Sequence, residues 1–438
     1  MITSSENIID SYKGKKMLDL AKKLYPLNRS IMGPDIRKSF EIISNLHPEF
    51  KPIKFKTGQK VFDWEVPKEW VIRDAYIEHE SGKRFAEFKK NNLHVVGYSI
   101  PINKTLSKKE LIKNLHSLPN KPNSIPYITS YYKEYWGFCL KHEILKNLPE
   151  GNYKVVIDSE HNPGELWMIE ALIPGKSSKE IFFSSYLCHP SMANNELSGP
   201  VVLQELLGYV KNLQDRKYSY KFLIGPETIG SIAYLSKNLK HLKEKMLCGI
   251  NLSCVGDERA FSHVFSRNQD SLADLALSSS LIGLENVKNY SFLDRGSDER
   301  QYCSPGVDLP VCTFCRSKFG TFPEYHSSSD NFNLVTCKGL QDSFKVLKTI
   351  VDSFEIGLIP KLKTFCEPNL GSRGLYPTLS KADEYGHIGK LRLDILSFCD
   401  TKKNLFQISK KLDIKLSFLL EQIKLFKKNN LIELIDLV

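Results

Sequence analysis

Three residues at the ends of separate elements are of the types that hold a catalytic metal and move a proton. His189 follows the apolar run Ile181–Leu187, and the polar loop after it leads to Leu197-Ser198-Gly199-Pro200 and the helical pattern VVLQELLGYV. Glu227 follows the apolar run Tyr218–Ile224 and precedes the helical IAYLSKNLKHL. His326 stands beside Glu324 and Asp330, ahead of the helical segment Cys337–Phe354. A single histidine at a strand end is more often a hydrogen-bonded structural residue than a ligand. Two histidines and a glutamate at the ends of separate elements are the set a catalytic zinc needs, with few protein ligands and a position open to water.

Such residues work together only if their elements bring them to one edge. In an open α/β sheet that edge is the carboxyl ends of the strands. KVVIDSE, ELWMIEALIP, IFFSSYL, YKFLI, MLCGINLSCVG and LPVCTF read as strands alternating with helices from Tyr153 to about Leu358. This alternation predicts a three-layer α/β/α domain. FDWEV, VIRDAYIEHE, RFAEF, HVVGYSI and SIPYITSYY are short, aromatic, β-prone runs between turn signals, and they predict a small β-rich insertion. Its aromatic cluster, Tyr127, Tyr131, Tyr132, Tyr135 and Trp136, reads mainly as core, with a substrate cleft at the domain boundary as the alternative. After a Gly-, Pro- and Ser-rich linker, Phe365–Ser380, come three helical patterns (Leu391–Cys399, Leu405–Leu412, Lys415–Asn429) and a strand-like tail, which suggest a winged helix-turn-helix. The division is then 1–58 with 150–362 as the α/β domain, 59–149 as the insertion and 380–438 as the winged helix.

The strings LYPLNRSIMG, DWEVPKEW, IPYITSYYKEYWGFC, CHPSMANNELSG, PETIGS, RGSDERQYCSPGVDLPVC and YHSSSDNF run nearly end to end. With them the chain resembles the aminopeptidase-like proteins encoded with bacterial polysaccharide biosynthesis genes. These are relatives of the zinc aminopeptidase clan that includes leucyl aminopeptidases and glutaminyl cyclases. The resemblance implies that His189 and His326 are metal ligands and that Glu227 is the general base. It also maps the clan's acidic ligand positions onto Asn195, Thr228 and, near a later strand end, Ser253.

Neutral residues at those three positions have a physical consequence. An amide carbonyl is a much poorer zinc ligand than a carboxylate, so one zinc per chain is expected rather than two. The third ligand is then Asn195 or Asp298, with Glu196, Glu227 and Glu324 as alternatives. Glu324, Asp298 and Asp330 suit a substrate α-amino group; Asp330 otherwise orients His326 or caps the next helix. Arg295 and Arg300 either pair with acids or hold a substrate carboxylate. Tyr132, from the aromatic cluster, is a further substrate contact.

The expected function is a zinc-dependent aminopeptidase or related amide hydrolase acting on a small aminoacyl or peptidyl compound. Two alternatives come from other classes: an aminopeptidase-like scaffold that binds a ligand or partner without turnover, and a DNA-binding regulator with a sensor domain. No apolar stretch is long enough to cross a bilayer, and the start lacks a signal peptide's apolar core, so the cytoplasm is expected. The ten scattered cysteines fit that compartment as buried thiols, and Cys312-Thr313-Phe314-Cys315 reads as strand interior. A net charge of +11, with lysines enriched at the C-terminal end, favours phosphate contact. The last helical pattern is dominated by Leu, Ile and Phe, however, with few groups that read base edges, so packing or protein contact is expected ahead of nucleic acid. A homo-oligomer is left open.

Overall fold

The structure, a computed structural model, describes residues 4–376 and 382–437, and the side chains of 4–11 and 382–387 lie outside that description. Residues 377–380 of the expected linker therefore fall outside the described residues. The chain opens with two helices, α1 (Ser4–Leu24) and α2 (Pro34–Leu46), and an edge strand, β1 (Lys51–Lys56). Four antiparallel strands then interrupt it: β2 (Glu69–His79), β3 (Arg84–Phe85), β4 (Ile102–Ser107) and β5 (Asn152–Asn162), in the order β3-β2-β5-β4. The main domain continues through β6 (Glu165–Ile173), β7 (Glu180–Tyr186), α3 (Ser198–Lys211), β8 (Ser219–Gly225), α4 (Ile229–Lys245) and β9 (Met246–Leu252). It closes with β10 (Phe261–Val264), α5 (Leu272–Ser280), β11 (Val287–Tyr290), α6 (Glu299–Tyr302), β12 (Val311–Cys315) and α7 (Cys337–Ile356).

The eight-stranded sheet has the order β1-β6-β8-β7-β9-β12-β10-β11. Its centre, β8-β7-β9-β12, is parallel, and every residue of β7 and of β8 is buried. Strands covered on both faces read as continuous apolar runs, which is why IFFSSYL and YKFLI lack alternation. From β7 the chain crosses to β8 through α3, then back past β7 to β9 through α4. Right-handed crossovers in opposite directions put α3 and α4 on opposite faces, so the sheet is covered on both sides. The helices α1, α3 and α7 pack together on one side.

One strand departs from the sequence reading. Lys154–Glu160, expected in the main sheet, lies in β5 and pairs with β2 and β4 of the inserted sheet. The inserted sheet thus extends beyond residue 149. An apolar run of this length pairs equally well in either sheet; here alternating burial along β5 shows that only one of its faces is covered.

At the C-terminal end, β13 (Ile359–Leu362) precedes α8 (Ala382–Ser397), α9 (Leu405–Leu412), α10 (Leu416–Lys428) and β14 (Ile432–Ile435). Strand β13 pairs antiparallel with β14, so the wing takes a strand from ahead of the linker, and this unit begins near residue 359 rather than 380. Both α9 and α10 pack on the main domain, against α5 and, for α10, α7. The Phe406 ring meets Phe354 edge-on at 5.5 Å. Among the described residues no helix is long and apolar enough to cross a membrane. All ten cysteines are free thiols, and eight of them are buried.

Candidate metal and active site

Tyr186 and Gly225 are register partners at the ends of β7 and β8. His189 follows three residues after the first and Glu227 two after the second, so both emerge at one edge of the sheet. His189 Nε2 lies 3.8 Å from Glu227 Oε2. On the other side of the ring, Glu196 Oε1 bonds Nδ1, and Glu196 also accepts the Cys188 N–H. A carboxylate on Nδ1 fixes the ring's orientation and tautomer and leaves Nε2 as the free nitrogen, the arrangement found behind metal-binding histidines. Arg29 Nη2 donates to the His189 carbonyl at 2.9 Å, tying the segment after α1 to this loop. Burial, with His326 and Arg29 nearby, holds the His189 imidazole well below its ordinary value, so the ring stays neutral.

His326 sits at φ +53°, with its ring centroid 5.3 Å from that of His189, and it stacks on Tyr325 at 3.9 Å. Burial lowers its value to about 4. The insertion closes over both histidines. Ile125 and Ser328 are joined by two hydrogen bonds of 2.9 Å, one to the Ser328 hydroxyl and one between backbones. Tyr127 donates its N–H to the His326 carbonyl at 3.0 Å. The Tyr127 ring contacts His189 at 4.6 Å and His326 at 5.2 Å, and its hydroxyl lies 3.0 Å from that of Tyr131.

These groups enclose a cavity of about 400 Å³. His189, Glu227, Arg300 and His326 line it from the α/β domain, and Trp64, Tyr127, Tyr131 and Tyr132 from the insertion. Glu227 has its carboxyl pushed up, first by burial and then by the Asp298 charge. Thr228 beside it has φ +63° and ψ −78°, a strained conformation for a β-branched residue. Asp298 Oδ1 accepts the Thr228 N–H at 2.8 Å, and Arg300 donates to the Thr228 hydroxyl; together they hold it there.

The other acids are placed differently. Asp298 is absent from the cavity wall; its Oδ1 also accepts the Ser231 hydroxyl at 2.9 Å. Asp330 accepts the N–H groups of Asn194 and Asn195 at 2.6 and 2.9 Å, so it caps the loop ahead of α3 rather than α7, whose cap is Thr336. Glu324 is paired twice with Arg259 at 2.8 Å, outside the cavity. Arg295 lies over the Phe292 ring at 4.8 Å and does not reach the cavity. Tyr132 does line it, with its hydroxyl 3.4 Å from the Glu65 carbonyl.

Where the resemblance maps acidic ligands, a neutral network stands. Asn195 Nδ2 donates to the Tyr186 hydroxyl at 3.0 Å, and that hydroxyl lies 2.7 Å from Ser253 Oγ. Asn195 Oδ1 is left buried without a donor. A free Nε2, a neutral second histidine and an orphaned carbonyl oxygen are donors of the kinds a divalent ion takes, although Asn195, like Asp298, is not among the residues lining the cavity. A second buried group, His263, Asp274 and Cys312, lies away from the cavity, and Asp274 there is spent on His263, Ser266 and Ser271. Arg29 carries no readable signal, and Glu196 and Tyr127, read as an alternative ligand and as part of the aromatic cluster, take their places through contacts across a loop or between distant segments, which have no periodicity.

The comparisons with known proteins agree with this architecture. A family model described as a domain of unknown function, DUF4910, matches residues 18–357, and a winged helix-turn-helix model matches 359–434. A Clostridium acetobutylicum protein, provisionally described as a polysaccharide biosynthesis protein with an aminopeptidase-like domain, is 39% identical over 407 residues, 92% of either chain. A crystal structure of a provisionally assigned peptidase from Clostridium acetobutylicum superposes with a TM-score of 0.88 at 37% identity, covering 97% of each chain. A zinc aminopeptidase from Bacillus subtilis shares the fold, with a TM-score of 0.57 at 14% identity over 78% of this chain and 94% of its own. The chain belongs to the DUF4910 family, an aminopeptidase-like α/β fold carried with a C-terminal winged helix-turn-helix.

Proposed function

We propose that the protein is a single-zinc hydrolase of amide bonds in small substrates. The observation that carries this reading is the two-sided setting of His189, with Nδ1 on Glu196 and Nε2 turned to Glu227 3.8 Å away. His189 and His326 would hold the ion, with Asn195 Oδ1 as a weak third donor. Zinc in such a site supplies a Lewis acid that polarises a carbonyl and lowers the pKa of water beside it. Glu227, with its carboxyl raised by burial, takes the water's proton. The water oxygen bonds to the amide carbon, the C–N bond breaks, and the nitrogen leaves with that proton. Tyr127 and Tyr131 wall the reacting edge from bulk water. The description of the Clostridium relative as a polysaccharide biosynthesis protein suggests an amide carried on a sugar.

A second reading, a scaffold without turnover, is favoured by the neutral Asn195, Thr228 and Ser253. The two are separated by incubating zinc-loaded protein with a panel of acyl and aminoacyl amides and following the products by mass spectrometry. Hydrolysis that is lost with a chelator and in Glu227→Gln supports the enzyme. Retained zinc with no turnover of any amide supports the scaffold.

A further inference from the structure

The cavity's charges point to the class of substrate. An enzyme that acts on a free N-terminus must hold an ammonium group, and that takes a carboxylate beyond the general base. Here each nearby acid is already engaged. Glu196 is spent on His189 and the Cys188 N–H. Asp298 accepts from Thr228 and Ser231, and Asp330 from Asn194 and Asn195. Glu299 accepts the Gly296 and Ser297 N–H groups and the Thr313 hydroxyl, and Glu324 is paired with Arg259. Among the described residues, Glu227 is the only carboxylate on the cavity wall.

The permanent positive charge on that wall, Arg300, favours the charged forms of Glu227 and Asp298 through space without pairing with either among the described residues. Arg300 gives one hydrogen bond, to the neutral Thr228 hydroxyl, and forms no ion pair among the described residues. Its Nε is buried without an acceptor among the described residues. A guanidinium with donors to spare is a fork for a carboxylate or phosphate, and it repels an ammonium. Around it, Trp64 and Tyr132 meet edge-to-face at 5.7 Å at the exposed rim and offer ring surface to an uncharged body.

We propose that the cavity takes an amide bearing an anionic group, anchored on Arg300, rather than a substrate with a free α-ammonium. This rests on the hydrolase reading only for the fate of the amide bond; the anion site stands without it. The class includes N-acylated amino acids and amides of acidic sugars, and the shared feature is a negative charge held away from the bond that breaks.

The test is calorimetric titration of the full-length, chelator-treated protein, so that zinc takes no part, with N-acetyl-L-alanine and with L-alaninamide as probes. N-acetyl-L-alanine is expected to bind and L-alaninamide not to bind. Arg300→Gln should weaken N-acetyl-L-alanine at least tenfold, with Arg300→Lys recovering part of the loss. Thermal unfolding of each variant checks that the fold is intact, and Arg300→Lys carries the comparison if Arg300→Gln does not fold. Preferential binding of L-alaninamide, unchanged binding in Arg300→Gln, or binding of neither probe at millimolar concentration overturns the proposal. Failure of amide hydrolysis with anion binding intact would instead count against the hydrolase reading alone.

Discussion

Glu196 holds His189 from behind: its Oε1 bonds Nδ1, while Nε2 faces Glu227 Oε2 at 3.8 Å. The three side chains form one line from a fully buried carboxylate, through an imidazole, to a carboxylate on the cavity wall. An imidazole fixed in this way presents a neutral nitrogen in a set direction, which is what a cation needs from it.

Glu196→Gln should therefore weaken zinc binding without removing a ligand. Loss of a carboxylate behind a metal-binding histidine typically costs about 10–100-fold in affinity. Competition with a chromophoric chelator measures it, and unchanged affinity would mean that His189 Nε2 is not a ligand.

Asn195→Asp should act in the opposite direction. Asn195 Oδ1 is buried without a donor, and the Tyr186 hydroxyl that accepts from its Nδ2 can turn and donate to a carboxylate. The added charge strengthens zinc binding, measured by the same competition, and lowers the stability of the metal-free protein because the charge is then buried unpaired. Zinc affinity equal to wild type would remove Asn195 from the donor set.

Glu227→Gln separates function from stability. Burial raises the Glu227 carboxyl above its ordinary 4.5, so the folded chain holds a proton that the unfolded chain has released. Stability contributed by this group therefore falls as pH rises from 4.5 through the raised value. Removing the charge should make the metal-free variant more heat-resistant than wild type at about pH 9, with the difference vanishing near about pH 4. The same change should lower amide hydrolysis by about 10²–10⁴-fold. A variant less stable than wild type at alkaline pH would contradict the burial argument.

Phe406→Ala tests whether the winged helix is part of the main body. Phe406 is fully buried and packs edge-on against Phe354 of α7. Truncating such a ring costs about 3–5 kcal/mol. If the packing couples the two units, denaturant unfolding shifts as one transition; a separate early transition for the C-terminal unit would mean that it is only tethered.

The central sheet, His189 and Glu227 are legible in the sequence because the two residues follow apolar runs that a parallel core requires, whereas His326, in the loop between β12 and α7, is marked only by the acids beside it. The Lys154–Glu160 run is misread because a short apolar strand does not announce its sheet, and the wing strand at 359–362 because its partner is 70 residues away. Asp330 and Asp298 sit beside reactive residues in sequence, yet both are spent on backbone N–H groups, which only the folded loops reveal. Glu196 is read as an alternative ligand, while the structure sets it behind the His189 ring. Its role depends on the tight turn through Ser191 at φ +49°, which brings it back onto His189.

Zinc stoichiometry, by elemental mass spectrometry of protein loaded with zinc and freed of excess, tests the single-zinc reading in the wild type, His189→Ala and His326→Ala. About one ion per chain is expected in the wild type, with near-complete loss in both variants. Two ions per chain, or one ion retained in His189→Ala, would contradict it.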